Sequence, residues 1–387
     1  MTRFRLHSRD SLAHSRPINS LLFSHDGSQL LSGSDDGTIK IWTTARWKLV
    51  QSINSYQGGV VILRWVPDQL PLCSYFISGG SDGTVKLWRL AAGQYVEASA
   101  VSTVSPPTPP TAIEDMVVTN TRLVVTNGTG VIFFMINVQD DALDFASEEA
   151  WVPVQGEKAR SVVFLDGQML LISFFDSRQV EIWSLAQSQP LQLHCHRLNT
   201  DIGNMTWSAA TNRLLVWNMH DGVDIYKLSL LKRRPILEST FEIEMGQLIY
   251  PTQMACSTRD ALAVCGSNLG GKIYVWDIMS GKRRQRLTQG GGVQKVQTVE
   301  LWEPRAGDHK FKRVILASGS SDGNTGASIC LWVLSDRQSR APIILAVLFC
   351  CVLGCIGWAL RHHVLRQVLE EFYQSMMSDQ ESTRDDL

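Results

Sequence analysis

The chain has 387 residues and a formal net charge of −1, with 44% hydrophobic and 19% charged residues. This balance argues against a long disordered chain and against a nucleic-acid binder that depends on gross positive charge. The eight cysteines lack a paired CxxC motif. Their pattern therefore argues against a disulfide scaffold and a zinc ribbon, and it favours a reducing compartment.

Three segments repeat one pattern: an apolar strand, an Asp-Gly turn and a second strand that ends in tryptophan. They are LSGSDDGTIKIW at 31–42, ISGGSDGTVKLW at 77–88 and LASGSSDGNTGASICLW at 316–332. The Asp-Gly pairs predict tight hairpins with a positive φ at glycine. Weaker copies fill the gap, at 126–136, 173–183, 217–228 and 265–276.

An aromatic residue marks the end of a strand in each of the seven copies, and successive markers lie 43 to 56 residues apart. A period of this length is typical of a β-propeller, in which units of short strands stack to bury both faces. The sequence therefore predicts an all-β, seven-bladed propeller over residues 1–334. The markers are Trp42, Trp88, Phe134, Trp183, Tyr226, Trp276 and Trp332.

The repeats resemble those of the WD-repeat β-propellers, strongly in units 1, 2 and 7 and weakly in units 3 to 6. The resemblance implies a buried, hydrogen-bonded tetrad of His14, Ser32, Asp36 and Trp42 that is structural and not catalytic. Units 2 and 7 lack the histidine and keep the other three residues. These are Ser78, Asp82 and Trp88 in unit 2, and Ser318, Asp322 and Trp332 in unit 7.

The chain also looks like the poorly characterised, membrane-anchored WD-repeat-like proteins of mushroom-forming fungi, which share eroded middle repeats. That resemblance implies no known activity. The N-terminal segment RFRLH at 3–7 precedes unit 1, and unit 7 ends after its third strand, at Leu334. We expect 3–7 to be the fourth strand of the last blade, because this pairing closes an otherwise open sheet edge.

Signals of catalytic chemistry are poor in the sequence, which has no GxGxxG, P-loop or HExxH motif. In LQLHCHR, His194 and His196 share one face of a strand and Cys195 takes the other. We interpret the two histidines as a solvated pair on an outer strand, with a metal site as the alternative. We expect no catalytic residue, no cofactor and no nucleic-acid partner.

Residues 341–360 carry no charge and are almost entirely apolar. As a helix they would be about 30 Å long, the thickness of one hydrocarbon core. The sequence therefore predicts a transmembrane α-helix at 341–360, after a short linker at 335–340 and before an amphipathic, acidic tail at 361–387. Small residues at Ala346, Cys350 and Gly354 share one helix face and predict a weak homodimer through the span.

We expect the span to insert after synthesis, since no N-terminal signal sequence is present and the span lies near the C-terminus. The propeller would then face the cytosol. The endoplasmic reticulum is the first expectation for the membrane, and the mitochondrial outer membrane is the second.

Positive charge is concentrated in residues 227–340, which carry 17 Lys and Arg against 10 Asp and Glu. When the strands of a blade are lettered a to d, the a–b and c–d loops lie on one face and the b–c and d–a loops on the other. Three basic clusters are expected on the first of these faces, next to the lipid. They are Lys232, Arg233 and Arg234 in the c–d turn of blade 5; Lys282, Arg283 and Arg284 in the c–d turn of blade 6; and Lys310, Lys312 and Arg313 in the a–b loop of blade 7.

These features favour a membrane-anchored, non-enzymatic platform for protein partners. Guanine-nucleotide exchange is an alternative, because a cytosolic propeller, one span and a short lumenal tail is also the layout of the endoplasmic-reticulum exchange factor that starts vesicle coat assembly. The short SHDGS turn at 24–28 offers no obvious counterpart to the ion-stabilised loop of that factor. A substrate adaptor for a ubiquitin ligase is the other alternative.

Overall fold

The structure is a computed structural model of the chain. Two compact units make it up, one of residues 2–335 and one of residue 1 with residues 336–387. The backbone alone is described at 142–145 and 151–153. The described residues are 3–67, 74–103, 111–119, 121–138, 142–145, 151–153, 158–186, 190–228, 234–244, 246, 252–259, 261–290, 294–304, 314–321, 326–335 and 366–371.

The described part of the larger unit consists of β-strands joined by turns and loops. In chain order they are β1 (Arg3–His14), β2 (Ile18–Phe23), β3 (Gln29–Ser34), β4 (Thr38–Thr43), β5 (Lys48–Asn54), β6 (Val60–Trp65), β7 (Tyr75–Gly80), β8 (Thr84–Ala91), β9 (Gln94–Ser102), β10 (Ile113–Val118), β11 (Arg122–Asn127), β12 (Gly130–Asn137), β13 (Ala142–Phe145), β14 (Trp151–Pro153), β15 (Ala159–Phe164), β16 (Met169–Phe174), β17 (Gln179–Ser184), β18 (Leu191–Arg197), β19 (Asn204–Ser208), β20 (Arg213–Trp217), β21 (Gly222–Leu228), β22 (Pro235–Glu242), β23 (Met254–Cys256), β24 (Leu262–Gly266), β25 (Lys272–Asp277), β26 (Arg283–Thr288), β27 (Lys295–Trp302), β28 (Ile315–Ser321) and β29 (Ala327–Ser335).

Seven antiparallel sheets are formed by these strands, and each is one blade. Blades 1 and 2 are β2–β5 and β6–β9, and blade 3 is β10–β14. Blades 4, 5 and 6 are β15–β18, β19–β22 and β23–β26. Blade 7 combines β27, β28 and β29 with β1 as its fourth strand. The seven-bladed, all-β architecture predicted from the sequence is thereby confirmed.

The first strands of the blades contact one another in a closed ring, in which β27 of blade 7 meets β2 of blade 1. A separate hydrophobic cluster fills each of the seven interfaces between neighbouring blades. Inner strands such as β3 and β11 are buried on both faces, whereas outer strands such as β5 are mostly exposed. Stacking of the blades therefore explains why the inner strands read as continuous apolar runs.

Ring closure extends further along the chain than the sequence predicted. The fourth strand of blade 7 is not limited to 3–7, because β1 pairs with β29 from Arg3 opposite Ser335 to His14 opposite Ala327. The fourth strand of blade 3 is interrupted, since β13 and β14 pair with different parts of β12.

The third strand of every blade carries its marker aromatic at the same register position. A β-bulge interrupts the pairing of the third and fourth strands at this position in every blade but the third. In blade 1, Ile41 pairs with Gln51 and Trp42 pairs with Leu49, so Val50 is the extra residue. Because a bulge bends and twists a strand, it curves the outer strand of the blade.

Of the smaller unit, the structure describes 366–371, which are helical and exposed. Val368 and Leu369 are among the exposed residues. The described residues contain no helix that is long and apolar enough to cross a membrane. The predicted span at 341–360 lies outside the described residues.

Candidate functional site

The predicted tetrad residues lie together where blade 7 meets blade 1. His14, at the end of β1, places Nδ1 3.0 Å from Asp36 Oδ2 and Nε2 2.7 Å from Ser32 Oγ. Trp42 Nε1 donates to the same Ser32 Oγ at 2.9 Å. Since a carboxylate only accepts, Nδ1 of the neutral imidazole donates to Asp36 and Nε2 accepts from Ser32. The chain of bonds joins the last strand of one blade to two strands of the next.

Protonation of the tetrad follows from burial and hydrogen bonding. Burial lowers the pKa of His14, and the hydrogen bond and charge of Asp36 offset only part of that effect. Burial alone would raise the pKa of Asp36, but hydrogen bonds from His14 and Thr38 outweigh it and hold that pKa well below its usual range. The imidazole is therefore neutral and the carboxylate charged at neutral pH, which suits a fixed structural pair.

In blade 2 a glutamine takes the position of the histidine. Ser78 Oγ donates to Gln57 Oε1 at 2.5 Å, and Trp88 Nε1 donates to Ser78 Oγ at 2.8 Å. Gln57 Nε2 donates to the carbonyl oxygen of Thr84 at 2.9 Å. Asp82 instead accepts from the amide and hydroxyl of Thr84, within its own turn. The sequence signature missed Gln57, because no histidine-based pattern selects an amide.

Other blades hold their tryptophans in different ways. In blade 7, Trp332 Nε1 donates to Ser318 Oγ at 3.0 Å, and Asp322 lies outside the described residues.

Trp183 of blade 4 donates to Glu181 Oε2 at 2.9 Å, two residues away on the same strand. Trp276 of blade 6 stacks on Phe241 with ring centroids 5.2 Å apart. The signature tryptophan therefore marks the same position in each of these blades. Among the described residues, the full tetrad is found in blade 1.

A second polar network, which the sequence did not predict, links the first strands of neighbouring blades. Ser20 Oγ accepts from Leu63 N at 3.1 Å. Asp115 Oδ2 accepts from Val162 N at 3.1 Å, and Ser161 Oγ accepts from Met205 N at 3.2 Å. In each case a side chain just after a bulge in one blade satisfies a buried amide of the next blade.

Asp115 is the charged member of this network. Arg64 Nη2 lies 3.3 Å from Asp115 Oδ1, and Ser161 Oγ donates to Asp115 Oδ2 at 2.7 Å. Burial raises the pKa of Asp115, although Arg64 and the hydrogen bonds act in the opposite direction. Because its oxygens are held by neighbouring blades, Asp115 is a structural carboxylate.

Polar side chains of the first strands also line a central channel. Near the d–a loops, Arg160 is paired with Glu114 beside Gln253 and Gln297, around a cavity of about 140 Å³. Toward the a–b loops, Glu300 lines the channel together with Arg64. Burial raises the pKa of Glu300 to about 7, and the charge of Arg64 offsets part of the effect.

The basic clusters are described only in part. Lys232, Arg233, Lys310, Lys312 and Arg313 lie outside the described residues, and Arg234 is exposed just before β22. Lys282 lies in the c–d turn of blade 6, as predicted. Arg283 and Arg284 do not: they begin strand β26, and Arg284 is bridged to Asp277. The prediction was wrong for these two because the strand starts earlier than the run of charges suggests.

The histidine pair lies on β18, the outer strand of blade 4. The rings of His194 and His196 stack with centroids 6.0 Å apart, and Cys195 Sγ lies 3.3 Å from Gln179 Oε1. Over the part of the chain that the structure describes, no group of three or more His, Cys, Asp or Glu side chains is placed to hold a metal ion.

Comparison with known families finds a match in the first two blades. The family model of the WD domain, G-beta repeat, matches residues 7–43 and 47–89. Together with the seven blades, this match supports the WD-repeat family. No curated protein matches the chain. A WD40 propeller suggests a protein-interaction scaffold, and the fold is typically non-enzymatic.

The matched WD repeats are offset from the blades by one strand. The first match begins within β1 and ends with β4, and the second begins just before β5 and ends within β8. Each sequence repeat thus opens with the fourth strand of the preceding blade. This offset leaves β1 to complete blade 7.

Proposed function

We propose that this WD-repeat propeller is a non-enzymatic interaction platform, held on a membrane by residues 341–360 with the propeller in the cytosol. The proposal rests mainly on one observation: the polar side chains of the repeat signature hydrogen-bond within the propeller. The polar groups of the tetrad bond one another inside the ring, as do those of the Asp115 network, and this leaves the exposed loops and outer strands without that structural role. A rigid ring with exposed loops suits partner binding.

Charge and hydropathy support the orientation of this platform. The uncharged segment 341–360 has the length of one hydrocarbon core, and it follows β29, whose end lies on the a–b and c–d face. Lys282 lies toward the same face. Anionic headgroups attract such residues by about 1 kcal/mol per charge near the surface. Partners would then bind the opposite face, with the endoplasmic reticulum the first candidate membrane.

Tyr56 lies on that opposite face, in the d–a loop between blades 1 and 2. Its side chain is 77% exposed, and its φ of 52° falls in the left-handed region that is costly for a large side chain. A strained, exposed aromatic residue is typical of a binding loop.

Photocross-linking in intact membranes tests the proposal. A photoreactive amino acid at Tyr56 should form adducts with protein, while the same residue at Arg46, in a c–d turn, should label lipid. If position 56 and further positions in the d–a loops gave no protein adducts, the platform role would be contradicted. Release of labelled nucleotide from a purified coat GTPase would instead favour the exchange-factor alternative.

A further inference from the structure

A groove runs between the outer strands of blades 4 and 5. It encloses about 740 Å³. One wall is the end of β18 with the residues that follow it, and the other is the start of β22. Its lining includes His196, Arg197, Arg234, Ile236 and Leu237.

Charge in this groove has one sign. Arg197 and Arg234 are exposed, His196 adds an imidazole, and none of the described lining residues is acidic. Within the described residues, neither arginine forms a salt bridge. His196 Nε2 is buried and makes no hydrogen bond to any residue that the structure describes. The groove therefore offers two charged donors and one buried ring nitrogen that a ligand can satisfy.

Apolar surface lies next to these donors. Ile236 and Leu237 are each 52% exposed, although they are large hydrophobic residues. Covering such side chains is favourable by about 25 cal/mol per Å² of apolar area removed from water. A ligand that brings carboxylates to the arginines and an apolar side chain to this pair would complement both parts of the groove.

Backbone geometry selects an extended ligand. β18 is the outermost strand of its sheet, so among the described strands one edge of it lacks a partner. An extended peptide can add to such an edge through main-chain hydrogen bonds while alternate side chains enter the neighbouring pocket.

We propose that this groove binds an extended, acidic segment of a partner protein, with carboxylates on Arg197 and Arg234 and an apolar residue against Ile236 and Leu237. The inference rests on the proposed role as an interaction platform and names the chemistry of one partner. Anionic lipid is the competing ligand, and the test separates the two.

The probe is a random dodecapeptide library displayed on phage, selected on the full-length chain in detergent micelles. Selected peptides should combine Asp or Glu with an apolar residue, and one of them is then synthesised for fluorescence anisotropy. Arg197→Gln with Arg234→Gln should weaken its binding about three- to tenfold, the sum of two exposed ion pairs. Ile236→Ser with Leu237→Ser should weaken it about tenfold.

Both double variants change exposed side chains, so the fold should be preserved, and circular dichroism checks this. Arg46→Gln with Lys48→Gln removes two exposed charges from blade 1 and serves as the matched control, with no expected change. Protection of β18 and β22 from hydrogen exchange by the peptide would place it in the groove.

Three results would overturn the groove proposal. They are selected peptides without acidic residues, selected peptides that bind all variants equally, and groove substitutions that abolish binding to phosphatidylserine vesicles but leave peptide binding intact. None of these bears on protein adducts at position 56, so the platform role is judged separately.

Discussion

The backbone of Phe4 and the side chain of Gln285 hydrogen-bond each other in both directions. Phe4 N donates to Gln285 Oε1 at 2.8 Å, and Gln285 Nε2 donates to the carbonyl oxygen of Phe4 at 2.9 Å. These bonds tie β1 of blade 7 to the outer strand of blade 6. Gln51 makes the same pair of bonds to Tyr95, from blade 1 to blade 2, at 2.8 and 2.9 Å.

The two glutamines occupy one position in their blades. Each pairs with the third-strand residue just before the marker tryptophan, Val275 for Gln285 and Ile41 for Gln51. The N-terminal strand is therefore held at its neighbour by the same contact that holds β9, a strand within the repeat array.

Gln285→Ala should lower the free energy of unfolding by about 1–2 kcal/mol, because two hydrogen bonds are lost and the Phe4 amide is only partly solvated. Amide hydrogen exchange should accelerate in β1, and urea denaturation should measure the loss of stability. Gln51→Ala is the matched control and should loosen β9 instead. An unchanged exchange rate in β1 of the Gln285 variant would contradict this account of ring closure.

The tetrad predicts loss of stability in acid. The pKa of His14 is lowered by folding, so the unfolded chain takes up a proton below about pH 6.5 that the folded chain resists. The pKa of Asp36 is also lowered, so its contribution is present above about pH 4 and is lost as the pH falls further. Both His14 and Asp36 therefore make the fold less stable as the pH falls.

His14→Gln should reduce the loss of folding stability between pH 7 and pH 5, because glutamine does not titrate. Gln57 already fills this position in blade 2. The melting temperatures of the unmodified protein and the His14→Gln variant should converge as the pH falls from 7 to 5. The expected difference in slope is up to about 1.4 kcal/mol per pH unit. Parallel curves over that range would show that His14 does not control it.

Glu300 predicts the opposite pH dependence: its contribution to stability is lost as the pH rises. Its pKa is raised to about 7 in the channel, so stability is lost as the pH rises from about 4.5, where an unfolded glutamate ionises, to about 7, because the half-buried carboxylate must then be charged. Glu300→Gln should raise the melting temperature at pH 8 and have little effect at pH 5. Gln297→Asn, a change without charge in the same strand, is the control. A pH-independent effect of Glu300→Gln would contradict the assignment.

The seven blades and their hairpins could be predicted from the sequence, because the marker aromatics and the Asp-Gly turns are short patterns of neighbouring residues. Gly37 and Gly83 both have a φ of 78°, as the hairpins require. The fourth-strand bulges, Gln57 and the Asp115 network were not predicted, since they depend on register and on contacts between blades. Arg283 and Arg284 were misplaced for the same reason: pairing with β25 decides where β26 begins.

The natural sequon Asn127-Gly128-Thr129 is a poor reporter of topology. Asn127 is fully buried and bonds the amides of Thr129 and Gly130, so a glycan there would prevent folding. Ala92 is exposed in the c–d turn of blade 2, with a φ of 48° that asparagine adopts more readily than alanine.

Ala92→Asn with Gln94→Thr creates a sequon in this exposed turn, and in microsomes it should remain unmodified if the propeller is cytosolic. The same sequon appended after Leu387 should be glycosylated if the membrane is the endoplasmic reticulum. A glycosidase-sensitive mass shift from position 92 would contradict the cytosolic orientation.

Protease protection on intact membranes tests the central claim most directly, whichever organelle is involved. The chain carries one epitope tag before Met1 and a folded fluorescent tag after Leu387, and closed vesicles are digested directly. A separate sample is washed with carbonate to test membrane integration. We predict that the protease removes the first tag without detergent and reaches the second only after detergent is added, and that deletion of 341–360 releases the protein from the membrane. Protection of the N-terminal tag, or retention of the deletion variant in carbonate-washed membranes, would contradict the account.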